Sequence, residues 1–484
     1  MKTYNYIKIF TVAFTLLALS GCEKFLDIKP KGIDILQGIK HYNGLLNNNM
    51  ALTFQNYRFL EGGGTSMLGA GDAPLIMGDD MFTTPANFGT KTRAQIAAYR
   101  WQADIYEENE DPNEWGAMYV PIYTYNLIAN GVMSSIDGTE AKKRELRAEA
   151  RVNRAFNYLF LVNLYAKPYN SNTASTDLGV PLITEANINA ENHTRASVKD
   201  VYDFIVKEIE ESIPDLPNQT SVRVRLGKAA AWFILGRTYF YMKEYTKAIT
   251  SLNNSEAALT ALPFKVELYD YNTMMNSWFT PALPQMGARS FPTQFNSEET
   301  IYMKQLVLVM LTMQNSIFVK DWVMAKFGQS DLRRKHFYDK DYMSGSMQLP
   351  GYQRASPTSS NWGPDLPDLY LMRAECKARV NDLTGAKADL ETLRVNRMPA
   401  EDAVVPVTTQ DAMVRFVLDE RIREQAGTGM RWFDMRRLAD DTQYNNLDRT
   451  RTYGTETLTL TNNRLTLKIP AKIRLFNPNM PDNE

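Results

Sequence analysis

The stretch from 226 to 259 constrains the fold more than any other part of the chain. Trp232, Leu235, Gly236 and Tyr239 sit at helical spacing, and Ala248 and Leu252 repeat that spacing after a break near Lys243. Two helices are predicted, over 226–241 and 245–259. Gly236 lets them approach closely, Trp232 and Tyr239 fill the groove beside it, and Ala248 is the small residue on the return helix. A hairpin of this kind cannot bury both faces alone, so it has to stack on others.

The spacing is that of a tetratricopeptide unit, W-x2-L-G-x2-Y followed by Ala and a bulky apolar residue. Two departures leave a generic helical hairpin as the alternative: Ser255 stands where a small apolar residue is usual, and no Pro closes the unit. A second pair is expected at 367–396, through Tyr370, Ala374, Ala386, Leu390 and Leu393, turning at Asn381-Asp382. A weaker third lies at 115–165. Further helices are predicted at 198–216, opened by Ser197 as N-cap, and at 410–425. A helix followed by a connection is expected over 33–60. Residues 61–100, rich in Gly, Thr, Pro and Asn, read as long loops. Few periodic stretches occur in 260–364, and β-leaning runs appear at 457–460 and 465–469.

The N-terminus reads as an address. Lys2 and Lys8 precede an apolar run from Ile9 to Leu19 that is short for a membrane span, and Leu19-Ser20-Gly21-Cys22 follows. Small residues before a cysteine resemble a bacterial lipobox, with residues 1–21 removed as a signal peptide and Cys22 lipidated, palmitate among its acyl chains. An ordinary signal peptide with a chance cysteine is the alternative. Two or more acyl chains would tether the body firmly to a membrane.

Composition closes several doors. Lys plus Arg number 54 against 55 Asp plus Glu, so no basic surplus exists for a nucleic-acid partner. Cys22 and Cys376 are the only cysteines, which rules out a disulfide scaffold, and three His make a His-rich metal site improbable. No phosphate loop, nucleophile elbow or zinc spacing is present. No cofactor, metal or catalytic residue is singled out, although the absence of a motif does not exclude catalysis, since glycosidases often show none. The acidic run 107–111 lacks the glycine and ligand spacing of a calcium loop and reads as a solvated turn. Cys376 lies on an apolar helix stretch and reads as a buried small hydrophobe.

Near the C-terminus charges crowd together. Glu420 and Glu424 share a helix face with Arg421 beside them, and Arg431, Asp434 and Arg437 follow after a Gly turn. Guanidinium–carboxylate pairs at this density are expected to pin the helix to the loop after it. An anion-binding site is the functional alternative.

Several motifs, in order, resemble the SusD/RagB family of outer-membrane nutrient-binding lipoproteins. They are Cys22-Glu23-Lys24-Phe25-Leu26-Asp27, Glu149-Ala150-Arg151 with Arg154-Ala155-Phe156-Asn157-Tyr158, Tyr165-Ala166-Lys167-Pro168-Tyr169, Gly179-Val180-Pro181-Leu182, Ser330-Asp331-Leu332-Arg333 and Asp368 to Glu375. The strongest is Glu420-Arg421 and Glu424 followed by Gly429-Met430-Arg431 and Asp434-Met435-Arg436-Arg437, departing from the family pattern at Thr428, where Glu is usual. The resemblance is loosest over 260–330. It implies a mainly α fold in which tetratricopeptide-like pairs form one half and a loop-rich half carries a few short strands. It implies a single domain over 22–484, with an N-terminal part to about 330 and a C-terminal part from about 331. It further implies a non-enzymatic protein, anchored in the outer membrane and probing the cell exterior, that captures a glycan or other nutrient and hands it to a SusC-like TonB-dependent barrel. A surface glycoside hydrolase, a peptide-capturing protein and a purely protein-binding scaffold are the alternatives.

A sugar site calls for aromatic platforms beside polar side chains. Two loop regions offer them: Asp80, Phe82, Asn87 and Phe88 in one, and Tyr271, Trp278 and Phe279 in the other. Trp322 and Trp362 are further candidates. Trp101, Trp115, Trp232 and Trp432 fall on helices or motif positions and are expected to pack.

Overall fold

A computed structural model describes residues 36–47, 53, 55–59, 65–69, 72–190, 192–278, 291–293, 295–307, 316–338, 349–357 and 359–484. Residues 1–21, expected to be a signal peptide, and Cys22 and Phe279 lie outside the described residues. Residues 38–484 form one unit, and it is mainly helical.

Helix pairs build its larger part. Asn113–Gly131 packs on Glu140–Tyr165, Lys228–Tyr241 on Tyr245–Leu259, and Leu366–Arg379 on Leu383–Arg394. Side-chain oxygens fix where many of these begin: Thr139, Ser197, Asp365, Asp382 and Thr409 each accept a backbone N–H of the first turn. Two hairpins turn by the same device. Lys243 and Asn381 are left-handed, at φ 63° and 66°, and Glu244 N–H and Asp382 N–H reach back five residues to the Tyr239 and Lys377 carbonyls.

The close approach expected at Gly236 is present. A Cβ there would lie 2.8 Å from Leu252 Cγ. Ser255 is fully buried, and its hydroxyl donates to the Ala229 carbonyl at 2.7 Å, tying the return helix to the first. That bond explains why a polar residue holds an apolar position. The hairpins are stitched together as well: Tyr370 Oη donates to Glu256 and Arg373 to Asn253 at 3.0 Å, while Arg373 also forks onto Asp389 of its own hairpin at 2.7 and 2.9 Å. The core runs through the pairs with Phe156, Leu161, Phe233 and Leu369 fully buried.

The long helix Glu140–Tyr165 ends against two arginines. Arg195 donates to the Tyr165 carbonyl, and Arg436 to those of Leu164 and Ala166. Cations there complement the helix dipole and satisfy carbonyls that have no intrahelical partner.

The remaining part is irregular. Among the described residues the strands form five two-stranded antiparallel ladders, including Phe337–Tyr338 with Gln353–Arg354 and Thr450–Tyr453 with Glu456–Thr459. Three expectations are corrected. Residues 61–100 hold short helices, Asp72–Met77, Pro85–Phe88 and Arg93–Tyr99, the last opened by a Thr92/Gln95 capping box. The run 465–469 is no strand, because Leu465 ends a 3-10 turn begun at Asn462. The segment after the Gly turn is a helix, Arg431–Leu438, every residue of which is buried.

Candidate functional site

The C-terminal charges lie inside the protein. Glu420 has no exposed surface and accepts from Arg333 at 2.6 Å and from Arg394 and Arg423 at 2.7 Å each. Glu424 accepts from Arg333 and Arg397. Arg421 forks onto Asp434, which also takes Arg437, and Arg437 forks onto Glu375 at 2.6 and 2.7 Å. Arg431 grips Asp79 with two bonds of 2.7 and 2.8 Å. Burial alone would raise the carboxyls of Glu420, Glu424 and Asp434, but the facing guanidinium groups outweigh it and hold all three below their usual range, Glu420 at about 2. These six residues fall into three buried clusters: Arg431 with Asp79; Arg421, Asp434 and Arg437 with Asp368 and Glu375; and Glu420 and Glu424 in a network with Arg333, Arg397 and Glu299.

A cavity of about 130 Å³ opens beside that network. One wall is aromatic. Tyr271 and Trp278, at the two ends of the helix Tyr271–Trp278, pack edge to face, Phe291 packs against both, and the His336 ring lies 5.4 Å from Tyr271 and 5.0 Å from Phe291. The lining also carries Glu424 and Gln425 from the end of the helix Gln410–Gln425 and Thr428 from the turn after it. Trp362 Nε1 donates to the Thr428 carbonyl, and Asp80 accepts from the Gly427 N–H. Gly427 and Gly429 are left-handed, at φ 69° and 85°, which L side chains adopt only under strain. Asp79, Asp80 and Trp362 thus hold the turn that lines the cavity.

The sequence candidates fall in three places. Tyr271 lines the cavity, and Trp278 stands behind it, 5.7 Å from the Tyr271 ring. Both are buried, at 4% and 6% exposure, so neither is an open platform for a sugar. Asp80 and Phe88 are buried too; Asp80 supports the turn and Phe88 packs on Tyr99. Burial and neighbouring Asp79 push the Asp80 carboxyl up to about 6. Phe82 is half-buried against Phe318, and Asn87 Oδ1 accepts from the Thr84 hydroxyl at the start of its short helix. Trp362 is fully buried and stacks on Phe160 at 5.2 Å. Trp101, Trp115 and Trp432 are buried, and Trp232 is half-buried against the core.

Arg354, His336 and Gln425 were absent from the candidates, and they carry the cavity's unspent polarity. Among the described residues His336 Nδ1, Arg354 Nε and Gln425 Oε1 are buried without a hydrogen bond. Arg354 donates once, from Nη1 to the Ala426 carbonyl, and pairs with no carboxylate among the described residues. Burial lowers its guanidinium to about 10 and the His336 imidazole well below its usual value, the latter helped by three nearby arginines. No local signal marks these residues, because the cavity draws them from segments far apart in the chain. Among the described residues no group of His, Cys, Asp and Glu is placed to hold a metal, and no helix is long and apolar enough to cross a membrane.

Two family models match the chain: "Starch-binding associating with outer membrane" over residues 73–240 and "SusD family" over 352–472. No curated protein sequence matches. Solved structures do. A SusD superfamily protein from Bacteroides thetaiotaomicron superposes with a TM-score of 0.71 at 17% identity, covering 92% of this chain and 100% of its own. One from Bacteroides vulgatus gives 0.68 at 20% identity, over 92% and 99%. A surface glycan-binding protein A from Bacteroides uniformis gives 0.70 at 17% identity, over 92% and 99%. At these identities the likeness is one of fold.

Proposed function

The chain belongs to the SusD/RagB family, and from that premise we propose that it captures a glycan at the outer surface of the outer membrane, without hydrolysing it, and passes it to a SusC-like TonB-dependent barrel. The match of both family models, in order, to the two halves of the chain carries this reading. The similar surface glycan-binding protein from Bacteroides uniformis supports a carbohydrate ligand. In this reading Cys22 is the lipid anchor, and the tetratricopeptide-like hairpins face the barrel while the irregular part meets the glycan. A cavity of about 130 Å³ is smaller than the few hundred cubic ångströms of a typical small-molecule site. It suits one ring of a glycan, the remainder lying outside.

Native gels cast with a panel of polysaccharides test the capture reading on the full-length chain in detergent. Retardation by at least one glycan is expected, and uniform mobility across the panel would overturn it. Cys22→Ser should move the chain out of the membrane fraction; unchanged fractionation would contradict the anchor.

A further inference from the structure

The cavity's charges do not cancel within it. Four carboxylates and four guanidinium groups line it, and most are mutually engaged. Arg237 binds Asp368, Arg333 binds Glu424, and Arg423 binds Glu420 just behind the wall. Glu299 is taken by Arg397 at 2.7 Å. Asp365 is occupied as the cap of the helix Leu366–Arg379, accepting from Asp368 N–H at 3.0 Å, and burial raises its carboxyl well above the usual range, toward the neutral form. Arg354 is left over. It is 9% exposed, lines the cavity, and among the described residues has one carbonyl contact, the Phe337 ring at 5.7 Å and no ion pair of its own; the acidic group it feels, Glu424, is already held by Arg333 and Arg397. A buried cation without a counter-charge is costly and is retained where something supplies that charge.

Neutral groups surround it. His336 precedes Phe337, the residue paired across the ladder with Arg354, and its imidazole is held neutral. The Tyr271 hydroxyl donates to no described residue and stays protonated, since burial raises it far from neutrality. A guanidinium with a phenol and an imidazole beside it, on an aromatic wall, matches a sugar ring bearing a carboxylate: the fork takes the carboxylate oxygens and the rings take the C–H face.

We propose that this cavity receives the carboxylate of a uronic-acid residue, with Arg354 supplying the counter-charge and Tyr271, Phe291 and His336 the contacts to the ring. The inference rests on the capture reading and adds that the captured glycan is acidic.

Calorimetry with the full-length chain tests it, using glucuronate, galacturonate and mannuronate oligomers, each beside its methyl ester. The ester keeps the ring and removes the charge. At least one acid should bind tenfold or more tightly than its ester, and Arg354→Gln should erase that ratio while Arg354→Lys restores part of it. No acid exceeding its ester overturns the inference, and so does an unchanged ratio in a folded Arg354→Gln variant. Competition by acetate, or by a peptide with a free C-terminus, at the same concentration as the uronate also overturns it, since the site then reads a bare carboxylate. Retardation by neutral polysaccharides with no acid preference sinks this inference and leaves the capture reading standing. Loss of every glycan interaction sinks both.

Discussion

Replacing Glu420 by Gln tests whether the buried charges hold the C-terminal helices together. The side chain is fully buried and accepts from three arginines at 2.6–2.7 Å. Gln keeps the shape and removes the charge, leaving Arg394 with only the carbonyls of Ala403 and Asp402 and Arg423 with that of Lys326. Breaking a buried pair from one side costs about 3–5 kcal/mol. Linkage gives a similar figure: a carboxyl depressed from 4.5 to about 2 contributes on the order of 3 kcal/mol at neutral pH. Because the folded value is the lower one, that contribution is present above the unfolded value near 4.5 and is lost as pH falls through about 2. Unfolding entropy of about 2 cal/mol/K per residue makes 4 kcal/mol worth only about 4 °C in a chain of this length. Urea unfolding followed by circular dichroism at pH 7 is therefore the sharper assay. The variant should lose about 3–5 kcal/mol at pH 7, and the difference from wild type should shrink as pH falls below 4. A loss under 1 kcal/mol at pH 7, or a difference independent of pH, would refute the reasoning. Asp411→Asn, in an exposed pair with Arg415, should leave the transition unchanged.

Three further expectations follow from the same geometry. Gly236→Val drives its side chain into Leu252, 2.8 Å from the new Cβ, and should cost about 1–3 kcal/mol by urea unfolding, whereas an unchanged midpoint would mean that the helices are not so close. Asp80 runs opposite to Glu420: its folded value is raised to about 6, so its charged form opposes folding above that pH and the penalty disappears as pH falls toward 4. Asp80→Asn, which keeps an acceptor for Gly427 N–H, should stabilise the protein by about 2–3 kcal/mol at pH 8 and make no difference at pH 4, and equal effects at both would contradict the burial of this carboxyl. Cys376 is fully buried, and burial pushes its thiol up, so a thiol reagent should label it only in denaturant.

Long helices were legible in the sequence because apolar residues recur along them at a fixed period and because Gly236 and the Ser and Thr caps mark their packing and ends. The short helices of 72–99 were not, since a single turn shows no period; their start signals, Thr84 before Pro85 and the Thr92–Gln95 capping box, are all that announces them. Arg431–Leu438 defeats pattern reading for another reason. Its charged residues are buried by pairing, so the polar positions that usually mark a solvent face mark an interior one. The aromatic candidates show the converse limit. Composition reports that Phe88, Tyr271 and Trp278 exist, while their burial depends on distant elements. The cavity has no linear signature either, because Tyr271, His336, Arg354 and Gln425 meet only once the ladder Phe337–Tyr338/Gln353–Arg354 and the 426–430 turn are in place.

The central claim is capture without turnover. Titrating the full-length chain with the glycan that retards it most in the gel, while following heat by calorimetry and the ligand by chromatography of the same sample, tests that claim directly. Saturable heat with every glycan chain recovered intact is the predicted result. Shortened chains or released sugar that scale with protein concentration would contradict it and identify the protein as a hydrolase.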